Sequence, residues 1–150
     1  MKIKSKIEDI THNDLVNLIA TATFESIWLS FQYDKSRCRN LEDGDCSEDI
    51  AAKILLDGGT IEFIDDYAED PADVYSKTGY FETDAAIYPV TFTDIKRGLE
   101  RALNGNFKDS SYYENTIAEK VLSLCEEESD FDNEDAEMLM QIILFNEIVY

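Results

Sequence analysis

Eight consecutive residues near the end of the chain, Met138-Leu139-Met140-Gln141-Ile142-Ile143-Leu144-Phe145, are apolar with one exception. Asn133 stands ahead of them as a good N-cap, and Glu134, Asp135 and Glu137 complement the positive end of a helix dipole. A helix that is apolar on nearly every side has to be enclosed. It is therefore either central to a core or part of a subunit contact, and an oligomer would use residues 138–149. A chain of 150 residues buries roughly 68–70% of its unfolded surface. That is enough to enclose such a helix in a single compact domain, 1–150, without a metal or disulfide staple.

The rest of the pattern fills in a mostly helical α+β domain with a small antiparallel sheet. Thr11 and Asp14 form an approximate capping box ahead of Leu15, Leu18 and Ile19. Phe24, Ile27, Trp28 and Phe31 continue at helical spacing, so the reading is one helix over about 12–31. Residues 34–46 read as an irregular connection. Ser47 then caps a short helix through Ala51, Ala52, Ile54 and Leu55, which Gly58-Gly59 ends. Thr60-Ile61-Glu62-Phe63-Ile64 alternates as a strand (60–64), and Ala86-Ile87-Tyr88-Pro89-Val90-Thr91-Phe92 is its natural partner (86–92). Pro89 lacks an N–H, which places the second strand at an edge or a bulge. A long acidic loop joins the two over 65–85. Two strands make a poor sheet, so a third is expected in 31–34, 74–81 or 147–150. Thr93 caps a helix with Ile95, Leu99, Ala102 and Leu103 inside, and Ser110 or Ser111 opens another through Ile117, Val121 and Leu124 towards Glu128.

The three cysteines, Cys38, Cys46 and Cys125, form no C-x-x-C pair. Three thiols in a reducing cytoplasm is the simpler reading, although the spacing alone permits a Cys38–Cys46 bridge. The basic start, Met1 to Lys6, is followed by no apolar run, so a signal peptide is not expected. No stretch approaches the length of a membrane span, and the cytoplasm is the expected compartment.

His12 is the only histidine, which disfavours a zinc site. Asp130-x-Asp132-x-Glu134 resembles the start of a calcium loop, but the sixth position is Asp135 instead of Gly and the twelfth is Gln141 instead of Glu. No nucleophile elbow, phosphate loop or H-E-x-x-H occurs. Gly58-Gly59 follows a helix, the reverse of a dinucleotide fingerprint. Carboxylate pairs capable of glycoside cleavage arise by chance among 33 acids. The expectation is no catalytic residue, no metal and no cofactor, with a carboxylate-dependent enzyme or divalent-metal-binding protein as the alternative.

Charge is the feature least explained by folding. Asp and Glu number 33 against 13 Lys and Arg, a formal charge of -20. Such a chain is repelled by nucleic-acid backbones and anionic lipids, so direct binding to either is not expected. Two runs hold acids and no bases: Glu62, Asp65, Asp66, Glu69, Asp70 and Asp73, then Glu126, Glu127, Glu128, Asp130, Asp132, Glu134, Asp135 and Glu137. No base follows Lys120. Each run alone is an ordinary solvated face, but the total works against compaction. Carboxylates three or four apart on a helix are ~5–6 Å apart at Cβ, while duplex DNA carries a charge every ~1.7 Å. The two runs, apart from Glu137, are the candidate partner-binding residues for a basic protein such as a nuclease. Tyr112-Tyr113 and Tyr75, Tyr80 and Phe81 flank acidic stretches, a composition of interfaces as well as of core edges.

Three segments, Ile10 to Val16, Ile54 to Ile61 and Leu139 to Tyr150, resemble those of small acidic proteins encoded by bacteriophages and mobile elements of gut bacteria. No activity is attached to that group, so the resemblance implies no site residues. It implies a setting in which an acidic, nucleic-acid-mimicking inhibitor would act on host defence of the restriction or CRISPR type. The remaining alternative is a structural or oligomeric module with an incidentally acidic surface.

Overall fold

Thr11 and Asp14 close the reciprocal cap that their spacing predicts. Thr11 N–H donates to Asp14 Oδ2 at 3.0 Å, and Asp14 N–H donates to Thr11 Oγ1 at 3.2 Å. Helix α1 (His12–Thr23) follows in the computed structural model, which describes residues 7–66, 86–113, 116–125 and 131–148. Leu15, Leu18, Ile19 and Ala22 are its buried face.

The helix expected over 12–31 stops at Thr23. Glu25 takes a left-handed backbone (φ 53), and Ser26 Oγ accepts the N–H groups of Leu29 at 3.1 Å and Trp28 at 3.4 Å. That turn feeds strand β1 (Leu29–Gln32). Phe24 and Ile27, expected on a buried helical face, are each 73% exposed, while Trp28 is buried. The third strand is therefore at 29–32, overlapping the first of the three places the sequence offered.

A 3-10 turn (Lys35–Arg37) opens the irregular connection, and helix α2 spans Ser47–Leu56. Its cap is Cys46, one residue before the expected Ser47. Cys46 N–H donates to Asp49 Oδ2 at 3.3 Å and its thiol to the same oxygen at 3.2 Å. Gly58 (φ +85) and Gly59 end α2, with Gly58 N–H on Leu55 O and Gly59 N–H on Ile54 O at 2.8 Å. This pair of bonds is the Schellman arrangement, which favours glycine at the left-handed position.

Strands β2 (Thr60–Asp65) and β3 (Ala86–Thr91) complete an antiparallel sheet of order β1-β2-β3. Phe63 is opposite Phe31 on one side and Tyr88 on the other. Pro89 is exposed on β3, at the sheet edge its missing N–H requires. The loop expected over 65–85 lies outside the described residues from 67 onward. Helix α3 (Phe92–Asn104) follows β3 directly, two residues earlier than a Thr93 cap would place it. Helical residues Ser110–Tyr113 (α4) and Thr116–Leu124 (α5) come next, then α6 (Asn133–Phe145).

The chain is thus a mostly helical α+β fold. It divides into two compact units, Met1–Ala22 with Thr93–Tyr150, and Thr23–Phe92. The first unit holds α4 to α6 and nearly all of α1 and α3. Ala136, Leu139, Met140, Gln141, Ile142 and Ile143 of α6 are buried, so the apolar run is core, which answers the first of its two expected roles. The second unit holds the sheet, with α2 packed on β2. Among the described residues no helix is long and apolar enough to cross a membrane.

Candidate acidic interface

Helix α6 begins with carboxylates that hold its own backbone. Asp132, not Asn133, is the N-cap. Its Oδ1 accepts Asp135 N–H at 2.9 Å, and Asp135 Oδ2 accepts Asp132 N–H at 3.3 Å. Asp135 Oδ1 also takes the Lys120 ammonium from α5, and each side chain is only 16% exposed. Asn133 instead donates its Nδ2 to the carbonyl of Thr21, in the last turn of α1, at 2.7 Å. Of the acids expected to contact a partner here, Glu134 is exposed, Asp132 is exposed but tied into the cap, and Asp135 is committed to Lys120. Glu126, Glu127, Glu128 and Asp130 lie outside the described residues.

The second run divides similarly. Glu62 is half-buried on β2 and accepts Gln32 Nε2 from its cross-strand neighbour at 3.2 Å. Asp65 is 2% exposed, so it is no surface contact. The strand runs one residue past the expected Ile64, and period 2 sets Asp65 on the same face as Ile61 and Phe63. Burial, and then the Asp65 charge, push the Tyr88 hydroxyl up to about 12. Asp66 is exposed, with its N–H on Trp28 O at 2.9 Å. Glu69, Asp70 and Asp73 lie outside the described residues, as do Tyr75, Tyr80 and Phe81. Tyr112 is exposed, and Tyr113 packs on Phe107 with ring centroids 6.2 Å apart.

Several bases are matched close to home. Lys53 Nζ donates to Asp45 Oδ2 at 2.7 Å and to Asn40 O at 2.9 Å, with Glu42 at 3.9 Å. Lys53 and Asp45 are each 12% exposed. The Lys53 hydrogen bond, then the Glu42 N–H, hold the Asp45 carboxyl below the usual carboxylate range. Arg39 meets Asp57 at 3.3 Å, Lys108 meets Glu147 at 3.3 Å and Arg37 meets Asp34 at 3.8 Å, all more exposed. Hydrogen bonds from the Ser36 hydroxyl and N–H lower the Asp34 carboxyl further than Arg37 does. Arg101 Nη2 donates to Ile142 O at 3.3 Å. No described base pairs with Glu119, Glu134, Asp66 or Asp43.

Among the described residues no three His, Cys, Asp or Glu side chains gather as a metal site. Cys38, Cys46 and Cys125 are free thiols, so the Cys38–Cys46 bridge does not form. A groove of about 550 Å³ on the second unit, beside β1, is not visible to the sequence reading, because Thr23, Phe24, Glu25, Ser30 and Phe31 of its lining fall within the single helix expected over 12–31. The alternation Leu29-Ser30-Phe31-Gln32-Tyr33 was the available signal for it. No protein-family model, curated protein or solved structure matches the chain.

Proposed function

We propose that the chain is a cytoplasmic, non-enzymatic binding protein whose unmatched carboxylates engage a basic, nucleic-acid-binding protein. The partner class most consistent with the charge is a host-defence nuclease of the restriction or CRISPR type, and inhibition is by competition for its nucleic-acid site. The observation that carries this reading is the location of the charge. In a chain of net charge -20, Arg37, Arg39, Lys53, Lys108 and Lys120 are held by neighbouring carboxylates and Arg101 by a carbonyl, while Glu134, Glu119 and Asp66 have no described base beside them. Long-range attraction from such a surface speeds encounter and is weakened by salt. Asp132, Asp135 and Asp65 drop out of the contact set, since they serve the fold.

The test is capture from host lysate at low and high salt, after nuclease treatment, beside an equally acidic unrelated protein. A nucleic-acid-binding protein held only by this chain, released by salt and displaced by added DNA or RNA, is the expected result. Capture of the same proteins by the control, or a partner that DNA and RNA leave bound, would remove mimicry.

A further inference from the structure

Strand β1 is an edge of the sheet. Asp66 N–H donates to Trp28 O at 2.9 Å, and Leu29 is opposite Asp65, so Trp28 and Asp66 stand at the position of a hydrogen-bonded pair, with the Trp28 carbonyl making one of its two bonds. Such pairs alternate along an antiparallel ladder. Ser30 and Gln32 therefore turn their backbone groups to β2, and Leu29 and Phe31 turn theirs to the open edge. Leu29 N–H donates to Ser26 Oγ at 3.1 Å, outside the ladder with β2. The N–H and C=O of Phe31 have no partner among the described residues.

The groove of about 550 Å³ follows this edge. Phe24 and Glu25 of the turn, Phe31 and Tyr33 of the strand, and Glu48 of α2 line it. No described base pairs with Glu25 or Glu48. Leu29-Ser30-Phe31-Gln32 also lacks charge and proline, two devices that ordinarily block pairing at an edge.

We infer that this edge receives an extended segment of a partner polypeptide that carries Lys or Arg beside apolar side chains. The segment adds a fourth strand through the Phe31 backbone. Its cations meet Glu25 and Glu48, and its apolar side chains cover Phe24 and Tyr33. A second copy of this chain is a poor occupant, since it would bring the same two carboxylates and another -20 of charge to the interface. The inference does not depend on competition with nucleic acid and stands if that reading fails.

The test uses a six-residue peptide alternating Lys or Arg with Val, blocked at both ends and titrated into the whole chain near physiological salt with amide NMR. Two N-methylated versions block alternate backbone N–H groups, one set in each frame. Shifts centred on residues 29–33 are expected, with one methylated frame binding at least about tenfold more weakly, the other binding like the parent, and E25Q/E48Q weakening the parent. Equal binding by both frames would reduce the interaction to charge attraction and overturn the proposal. So would shifts centred elsewhere, no binding, or self-association mapped to 29–33.

Discussion

A Cβ on Gly98 would lie 2.7 Å from the Cα of Ile143 and 2.5 Å from its Cγ1, so α3 and α6 meet with no room for a methyl group. Gly98 is buried in the middle of a helix, where glycine costs about 1 kcal/mol relative to alanine in propensity. The close approach explains why alanine would not serve. G98A is expected to destabilise by about 1–3 kcal/mol through overpacking, and urea denaturation measures it. I143A removes the Cγ1 contact but keeps the Cα one. The double variant should therefore remain less stable than I143A alone; full relief would mean that the backbone contact does not constrain the helices.

The elements marked by a single periodicity were legible in the sequence. The α2 cap region, β2 with β3, and the buried α6 follow from spacing and from Gly58-Gly59. The run 24–33 was not legible as it folds, because it satisfies two periods. Phe24, Ile27, Trp28 and Phe31 repeat as a helix repeats, while Leu29 to Tyr33 alternate as a strand does. Tertiary pairing with β2 chose the second. The candidate acids were visible as a count but not as roles. Composition cannot tell that Asp65 falls on the inward face of a strand one residue longer than expected, or that Asp135 meets Lys120 across 15 residues.

Neutralising acids in the 132–135 segment should separate folding from binding. D132A loses a reciprocal cap and is expected to cost about 0.5–2 kcal/mol. D135N loses the Lys120 pair and its side of the cap, and should also destabilise. E134Q, at an exposed position, should stay within about ±0.5 kcal/mol. Thermal or urea midpoints check all three. Loss of partner binding in E134Q with an unchanged midpoint would assign that carboxylate to the interface, whereas the same loss in D135N would not.

The Lys53–Asp45 pair gives a pH signature. Asp45 is held below its ordinary value, by Lys53 first and Glu42 N–H next, so its contribution is present above the unfolded value of about 3.9 and is lost as pH falls through the folded one. Lys53 is raised, chiefly by the Asp45 hydrogen bond, so its contribution is full below about 10.4 and is lost as pH rises through the folded value. The stability difference between wild type and D45N should be largest near neutral pH and close towards both extremes. Urea midpoints across that range measure it, and a difference unchanged from neutral to strongly acid pH would mean the pair does not form in solution.

Salt should stabilise this chain. Its surface ion pairs, Arg39–Asp57 and Lys108–Glu147 among them, are each worth about 0–1 kcal/mol and weaken on screening. The opposing term is repulsion among carboxylates in a chain of net charge -20. The Debye length falls from about 30 Å at 0.01 M to about 8 Å at 0.15 M, which screens distant like charges more than contacting opposite ones. The melting temperature should rise over that interval, and a gain of about 1 kcal/mol would read as about 2–4 °C. Sodium chloride is the salt to use, because sulfate and phosphate stabilise burial by exclusion whatever the charge. A flat or falling melting temperature would mean that the excess charge imposes no cost on the fold, and the acidity would then need no partner to explain its retention. A rise would show a cost carried by the isolated protein, of the kind that a basic partner relieves on binding.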